Sequence, residues 1–400
     1  MRKNKFLMDL SLLLYLVTAF FYFLLGNGYV WLIISIIPIS LYVINAVISM
    51  DKENYGWVIF IVFLWVSAMV SVHTTLSYKY LLIIGISFLG KLIFESVYGW
   101  HLKFAGIVKC FSFIHVFFVI LSYYMPTFVK GIVDKLYTGE ALDAYTQLFE
   151  REAYAGITGQ TSFAGFFSAI FIAFSISELL NTKKRVWSIF KIVIGFFALF
   201  LTMKRTYLVA CVIAFVFVLY IHNRGNGRFY KNLLVYTIIG IIAYYVFADY
   251  SFISKLFSKS TILLESGDIT NGRLYLWTET YKLWLEKPIF GHGINVLAGY
   301  YGLSTHNSYL QVLAEAGVFG FLSLITTLIF SLKTSCSIYK EILKDNLLIN
   351  KEKSVFLTCI FMQVVFVIYC FSGNPLYGIT FLLIDMLFIS CIKSFLQRKN

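Results

Sequence analysis

The segment of this chain with most capacity for chemistry is His306-Asn307, followed nine residues later by Gly317-Val318-Phe319-Gly320. A polar loop with a histidine runs there into an apolar helix. An imidazole titrates near pH ~6.5, so it takes and returns protons close to neutrality. At the water edge of a membrane span it suits proton transfer on a lipid-linked substrate. Asn307 is placed to orient the imidazole or a sugar hydroxyl. Gly317 and Gly320 have the small-x-x-small spacing that lets a second helix approach. Glu315, deeper in the same helix, is a candidate to balance an arginine or tune a pKa. A buried structural pair is its equal alternative.

Arginine forms a second group of candidates. Only eight of the thirty-three basic residues are arginine, so their positions are informative. The planar guanidinium grips phosphate oxygens in two places. Lys204-Arg205 is expected in a very short turn between two spans, Arg273 at the start of a helix, and Arg151 in an earlier loop. A headgroup contact or a surface ion pair is the alternative for each. For Arg151, flanked by Glu150 and Glu152, that alternative is preferred.

The elements that must position these residues are membrane helices. The chain is 60% hydrophobic and 13% charged, against about 25% charged in soluble domains. Apolar runs of transmembrane length recur along it. Twelve spans are expected, approximately 8–25, 30–50, 57–72, 80–97, 104–125, 158–180, 188–204, 206–221, 233–249, 310–332, 355–372 and 379–394. The first is read as an uncleaved helix that leads directly into further spans. The whole, 1–400, is expected to be a single integral membrane domain, all-α and polytopic. The net charge of +13 then belongs to loops, and nucleic-acid binding is excluded for want of a basic soluble domain. Six cysteines show no CxxC spacing and lie mostly in apolar runs, which argues against a disulfide framework or a zinc site.

Lysine and arginine also set the orientation. With both termini in the cytoplasm, most basic residues fall inside. The outer side then carries two long loops. The first, 126–157, is rich in acids. The second, 250–309, contains a turn and helix start at Ser266–Gly272 and an amphipathic helix over 274–285, suited to the membrane surface. A basic pair in a tight outer turn, Lys204-Arg205, runs against the positive-inside trend and is better explained by an anionic ligand. Within the spans, Lys91 and Glu95 are four apart and are expected to pair. Lys109, His115, Lys191, Glu315 and Asp385 are candidates for an ion path, with pairing or snorkelling as the alternative. Snorkelling is expected for Lys109 and Lys191.

These residues resemble the signature of the O-antigen ligase and polymerase superfamily. The resemblance is carried by His306-Asn307 with Gly317 and Gly320, by Met203-Lys204-Arg205-Thr206, by Asn271-Gly272-Arg273-Leu274-Tyr275-Leu276-Trp277, and by Pro288-Ile289-Phe290-Gly291-His292-Gly293. It covers about 200–320; the first half matches in hydropathy and loop placement only.

The resemblance implies a GT-C-like fold and a glycosyltransferase on the outer face of the bacterial cytoplasmic membrane. The donor would be a glycan on undecaprenyl pyrophosphate, with no metal and no other cofactor. It implies Arg205 and Arg273, with Lys204, at the pyrophosphate and His306 as the catalytic base, within a large outer catalytic loop, 250–309. Asn307, Glu315 and Arg151 are further candidates. The leading expectation is polymerisation of repeat units for a capsule, O-antigen or exopolysaccharide. The alternatives are ligase-type transfer to another acceptor and, in another class, a flippase or transporter for the same lipid-linked sugar. Membrane lipid is a partner, and a chain-length regulator and a flippase are candidate protein partners. A flippase predicts mid-membrane charges on inverted repeats, and no repeat is visible.

Overall fold

The computed structural model describes residues 2–24, 50–71, 74–183, 185–223, 229–231, 233–234, 237, 273–302, 304–345 and 347–398. The expected spans 30–50 and 233–249 fall almost wholly outside these residues, as do Ser266–Gly272 and the first part of the second loop. The described residues form fourteen α-helices joined by turns. These are α1 (Arg2–Phe21), α2 (Lys52–Met69), α3 (Thr74–Glu95), α4 (His101–Tyr124), α5 (Pro126–Leu136), α6 (Glu140–Glu150) and α7 (Thr161–Asn181). There follow α8 (Arg185–Leu201), α9 (Arg205–Asn223), α10 (Arg273–Glu286), α11 (Val296–Tyr301), α12 (Ser308–Lys344), α13 (Asn350–Tyr369) and α14 (Ile379–Lys393).

Among the described residues seven helices are long and apolar enough to cross a membrane: α3, α4, α7, α9, α12, α13 and α14. Expected spans at 8–25, 57–72 and 188–204 coincide with α1, α2 and α8, which are shorter or begin with charge. Helices α7, α13 and α14 are enclosed on nearly every side, and α4 and α9 are open along one side. The enclosed helices are apolar all round, the pattern of a helix with no solvent face. Helix α14 packs on α3, α13 on α7 and α9, and α12 on α2.

The first long loop is largely helical, in two short helices, α5 and α6. Pro126 opens α5, where its missing N–H costs nothing. Val129 and Val133, four apart, turn inward with Tyr137 and Tyr145. Acidic Glu140 and Asp143 occupy the first turn of α6, where the helix dipole favours them. In the second loop the expected amphipathic helix is α10. It is less one-sided than expected. Thr280 and Leu283 face inward, while Leu274, Tyr275, Tyr281 and Leu285 are exposed.

Several charges within the bundle are paired, while buried Asp385 of α14 forms no ion pair among the described residues. Lys91 Nζ lies 2.8 Å from Glu95 Oε2, as its spacing predicts, and 3.2 Å from Glu53. Lys393 joins the same cluster through Asp51, Glu53 and Glu95 at 2.8–3.1 Å. Asn54 bridges Lys91 and Glu95. The cluster bolts the start of α2 to the ends of α3 and α14, and each buried charge has an opposite partner, as burial demands. Lys109 and Lys191, for which snorkelling was expected, both bond Glu178 of α7, Lys191 at 3.0 Å, so the structure shows the alternative, pairing with a neighbour. The six cysteines are free thiols, four of them buried.

Candidate active site

The alternation of helices brings several ends together at one end of the bundle. Arg205 is the first residue of α9, Arg273 of α10 and Ser308 of α12, while α13 ends at Tyr369. The turn after α13 ties these ends to one another. Arg273 Nη1 donates to Ser372 O at 3.1 Å. The Ser372 hydroxyl donates to the Thr206 hydroxyl at 2.6 Å. The Ser308 N–H donates to Cys370 O and Gly373 O at 2.8 and 3.1 Å. Beneath this turn the Tyr207 and Tyr369 rings stack, centroids 4.3 Å apart.

The cations of the site act on one another. Lys204, Arg205 and Arg273 are half-buried, and His306 is exposed at the surface of the site. Partial burial lowers the Arg273 pKa. The nearby Tyr369 phenol acts in the opposite sense, and the Arg205 charge lowers it further. The His306 imidazole is also held below its ordinary value. Loss of solvent is the first cause, followed by the positive charges of Arg273 and Lys204. The imidazole is therefore neutral at neutral pH and open to a proton. Three helix N-termini and three cationic side chains at one place form a site that an anion would stabilise.

His306 has a left-handed backbone, φ 51°. That region is uncommon for a residue other than glycine, and strain of this kind collects at functional positions. Thr305 and Asn307 on either side are buried. Asn307 is the N-cap of α12: its Oδ1 accepts the backbone N–H of Tyr309 and Leu310 at 3.0 and 3.1 Å. Its side-chain oxygen thus serves the helix start.

Gly317 does not receive a second helix. It breaks α12 with φ 67° and ψ −171°. The Pro288–Gly293 turn fits into the break: Val318 N–H donates to Pro288 O at 2.9 Å, and His292 N–H to Ala314 O at 2.9 Å. A methyl group at Gly317 would strike the Ile289 carbonyl. Gly320 does face a helix, with Phe63 of α2 beside it. The two glycine motifs are therefore two halves of one joint, which closes the second loop back onto α12.

Glu315 is wholly buried. It accepts from Asn295 N–H at 2.9 Å, Gln311 Nε2 at 3.0 Å and the Tyr377 hydroxyl at 2.5 Å. Hydrogen-bond donors satisfy it, where the sequence offered an arginine or an ion pair. Arg151 caps the end of α6 and is exposed. Its segment reaches the periphery of the site through the Tyr154 N–H, which donates to Leu201 O at 2.9 Å.

The arrangement places the His306 imidazole within electrostatic reach of Arg273 and Lys204, and Arg273 within reach of Arg205, so that an anionic group could bind near a proton acceptor. Residues 190–325 match the O-antigen ligase family. The match takes in Lys204, Arg205, Arg273, His306, Asn307, Glu315 and Gly317; Arg151 lies outside it. The resemblance to the O-antigen polymerase and ligase superfamily drawn from the motifs thus has a family match behind it. The apolar helices and the match together indicate an integral membrane protein with glycosyl-transfer function of the O-antigen polymerase or ligase type. They imply a lipid-linked glycan substrate. No curated protein matches the chain significantly.

Sequence reasoning missed Ser372, Thr305 and Gln311 around the site, and named Thr206 and Trp277 only as parts of motifs. Gln311 had a signal, one helical turn before Glu315. Thr305 and Thr206 adjoin residues already singled out. Ser372 had none: it lies in a loop nearly a hundred residues from its partner Arg273.

Proposed function

We propose that this chain polymerises undecaprenyl-pyrophosphate-linked oligosaccharide repeat units by metal-independent glycosyl transfer. The product would be a capsule, an O-antigen or an exopolysaccharide. The acceptor sugar hydroxyl attacks the anomeric carbon of the donor glycan. A new glycosidic bond forms and the bond from that carbon to the pyrophosphate breaks. The hydroxyl proton passes to His306 Nδ1 or Nε2. The negative charge stays on the lipid pyrophosphate, beside Arg205, Arg273 and Lys204. Fixed donors aimed at developing charge are the largest single source of catalysis in reactions of this kind.

The reading is carried by one observation: Arg273 bonds the turn that also holds Thr206, next to Arg205, while Trp277 on the Arg273 helix bonds Thr305, next to His306. A GT-C-like fold, a cytoplasmic location for both termini and a site on the outer face belong to the same proposal. The basic side chains of Lys344, Lys351, Lys353 and Arg398 support that orientation, because they stand at the helix ends opposite His306. Ligase-type transfer is the second reading, favoured by the description of the matched family.

The test uses purified protein in liposomes with synthetic lipid-linked repeat units. A ladder of lengthening lipid-linked chains supports the polymerase. Transfer of glycan only when a different acceptor is added favours the ligase. Movement of lipid-linked sugar across the vesicle without joining would replace both with a flippase.

A further inference from the structure

We propose that Thr305, Gln311 and Glu315 are positioning residues for His306. They form a hydrogen-bonded chain that holds the histidine turn in the geometry proton transfer requires. The inference rests on the reading of His306 as the base.

The exposed His306 stands on a buried, fully tied support. Thr305 O accepts from Trp277 Nε1 at 3.0 Å. Thr305 Oγ1 accepts the Asn307 N–H at 3.1 Å, so the two residues flanking His306 are joined. The same hydroxyl lies 2.9 Å from Asn307 O and 3.2 Å from Gln311 Oε1. A hydroxyl has a single proton to give. Gln311 presents an acceptor to it because Glu315 orients the amide. The carboxylate accepts from Gln311 Nε2 at 3.0 Å, which turns Oε1 toward Thr305 and Asn374. Asn374 Nδ2 donates to that oxygen at 2.7 Å. A carboxyl oxygen accepts the amide N–H whether the group is ionised or protonated, and an amide that donates to Glu315 turns its oxygen toward Thr305.

The far end of the chain is anchored as well. Glu315 is 0% exposed, and its second oxygen takes the Tyr377 hydroxyl. Tyr377 in turn stacks on Tyr80, centroids 4.5 Å apart. The Glu315 carbonyl accepts from Ser67 Oγ and from the Gly293 N–H. A carboxylate here, in the helix that carries the Gly317 joint, couples the seat of the second loop to the turn that bears His306. Burying polar groups costs free energy unless they are hydrogen-bonded, and Thr305, Gln311 and Glu315 each are, which stiffens the turn. Rigidity is what a left-handed histidine next to a reacting centre needs.

Thr305→Val removes the hydroxyl at nearly constant volume. In liposomes with lipid-linked repeat units it is expected to lower turnover about tenfold or more, with the donor KM within about twofold. Thr305→Ser restores most of the rate. Gln311→Leu repeats the loss by the same route and serves where Thr305→Val does not insert. Full turnover in both Thr305→Val and Gln311→Leu overturns the inference. So does a loss that serine does not rescue, or one that appears in the donor KM rather than in turnover. A fully active His306→Ala protein would instead remove the underlying assignment of the base.

Discussion

Arg273 Nη1 donates to Ser372 O at 3.1 Å, and through the Ser372 hydroxyl this bond reaches Thr206, the neighbour of Arg205. One turn after α13 thereby registers the starts of α9 and α10, and the two arginines that open those helices with them. The turn thus holds the Arg273 guanidinium directly and fixes the helix start that carries Arg205.

The arginines should be sensitive to geometry as well as charge. Arg205→Lys and Arg273→Lys retain a cation and lose the two-pronged grip. Each is expected to reduce glycosyl transfer by roughly ten- to a hundredfold, the worth of a charge-assisted hydrogen bond. Titration with the lipid-linked donor measures it. Unchanged rates in both variants would contradict the pyrophosphate assignment.

The pH dependence follows from the depressed imidazole. A base whose pKa lies below the ordinary histidine value stays neutral to lower pH, so the acid limb of turnover falls below about pH 6.5. Lys204 contributes to that depression. Removing its charge in Lys204→Gln raises the imidazole pKa and moves the limb to higher pH. A pH–rate profile of the two proteins checks the sign; a limb that moves downward would contradict it.

Asn307 separates two roles. As the N-cap of α12 it should tolerate Asp, which caps equally well, and suffer from Ala by about 1 kcal/mol. Thermal unfolding in detergent and turnover read the two effects together. A stable Asn307→Ala protein with no activity would mean that the side chain touches substrate.

Part of the layout of the candidate site was legible in the sequence: Arg205 and His306 each sit at the edge of an apolar run, and hydropathy marks such edges, while Arg273 was marked by its helix start. The chain's own spacing also displayed Lys91 with Glu95, one helical turn apart. What sequence did not display was long-range. Lys109 and Lys191 were expected to snorkel because Glu178 lies on another helix. The stretch 126–157 read as a loop because acids outweigh its four-residue apolar spacing at Val129 and Val133. Gly317 and Gly320 read as a pair of helix contacts. In the structure only Gly320 faces a helix, and Gly317 opens a kink for a distant turn, since a left-handed φ leaves no mark in spacing.

The joint at Gly317 makes its own forecast. Gly317→Ala places a methyl group against the Ile289 carbonyl in a left-handed backbone. A cost of about 1–3 kcal/mol is expected. Limited proteolysis should then cut the 288–304 region faster than in the parent protein. Equal protection in the two would show that the turn is held elsewhere.

The central claim is that His306, within reach of Arg273 and Lys204, takes the proton of the acceptor hydroxyl. Its most direct test is the chain-length distribution made by His306→Ala from lipid-linked repeat units, with insertion and folding verified. The account predicts that single units accumulate and no ladder forms. Long chains at the parental rate would contradict it.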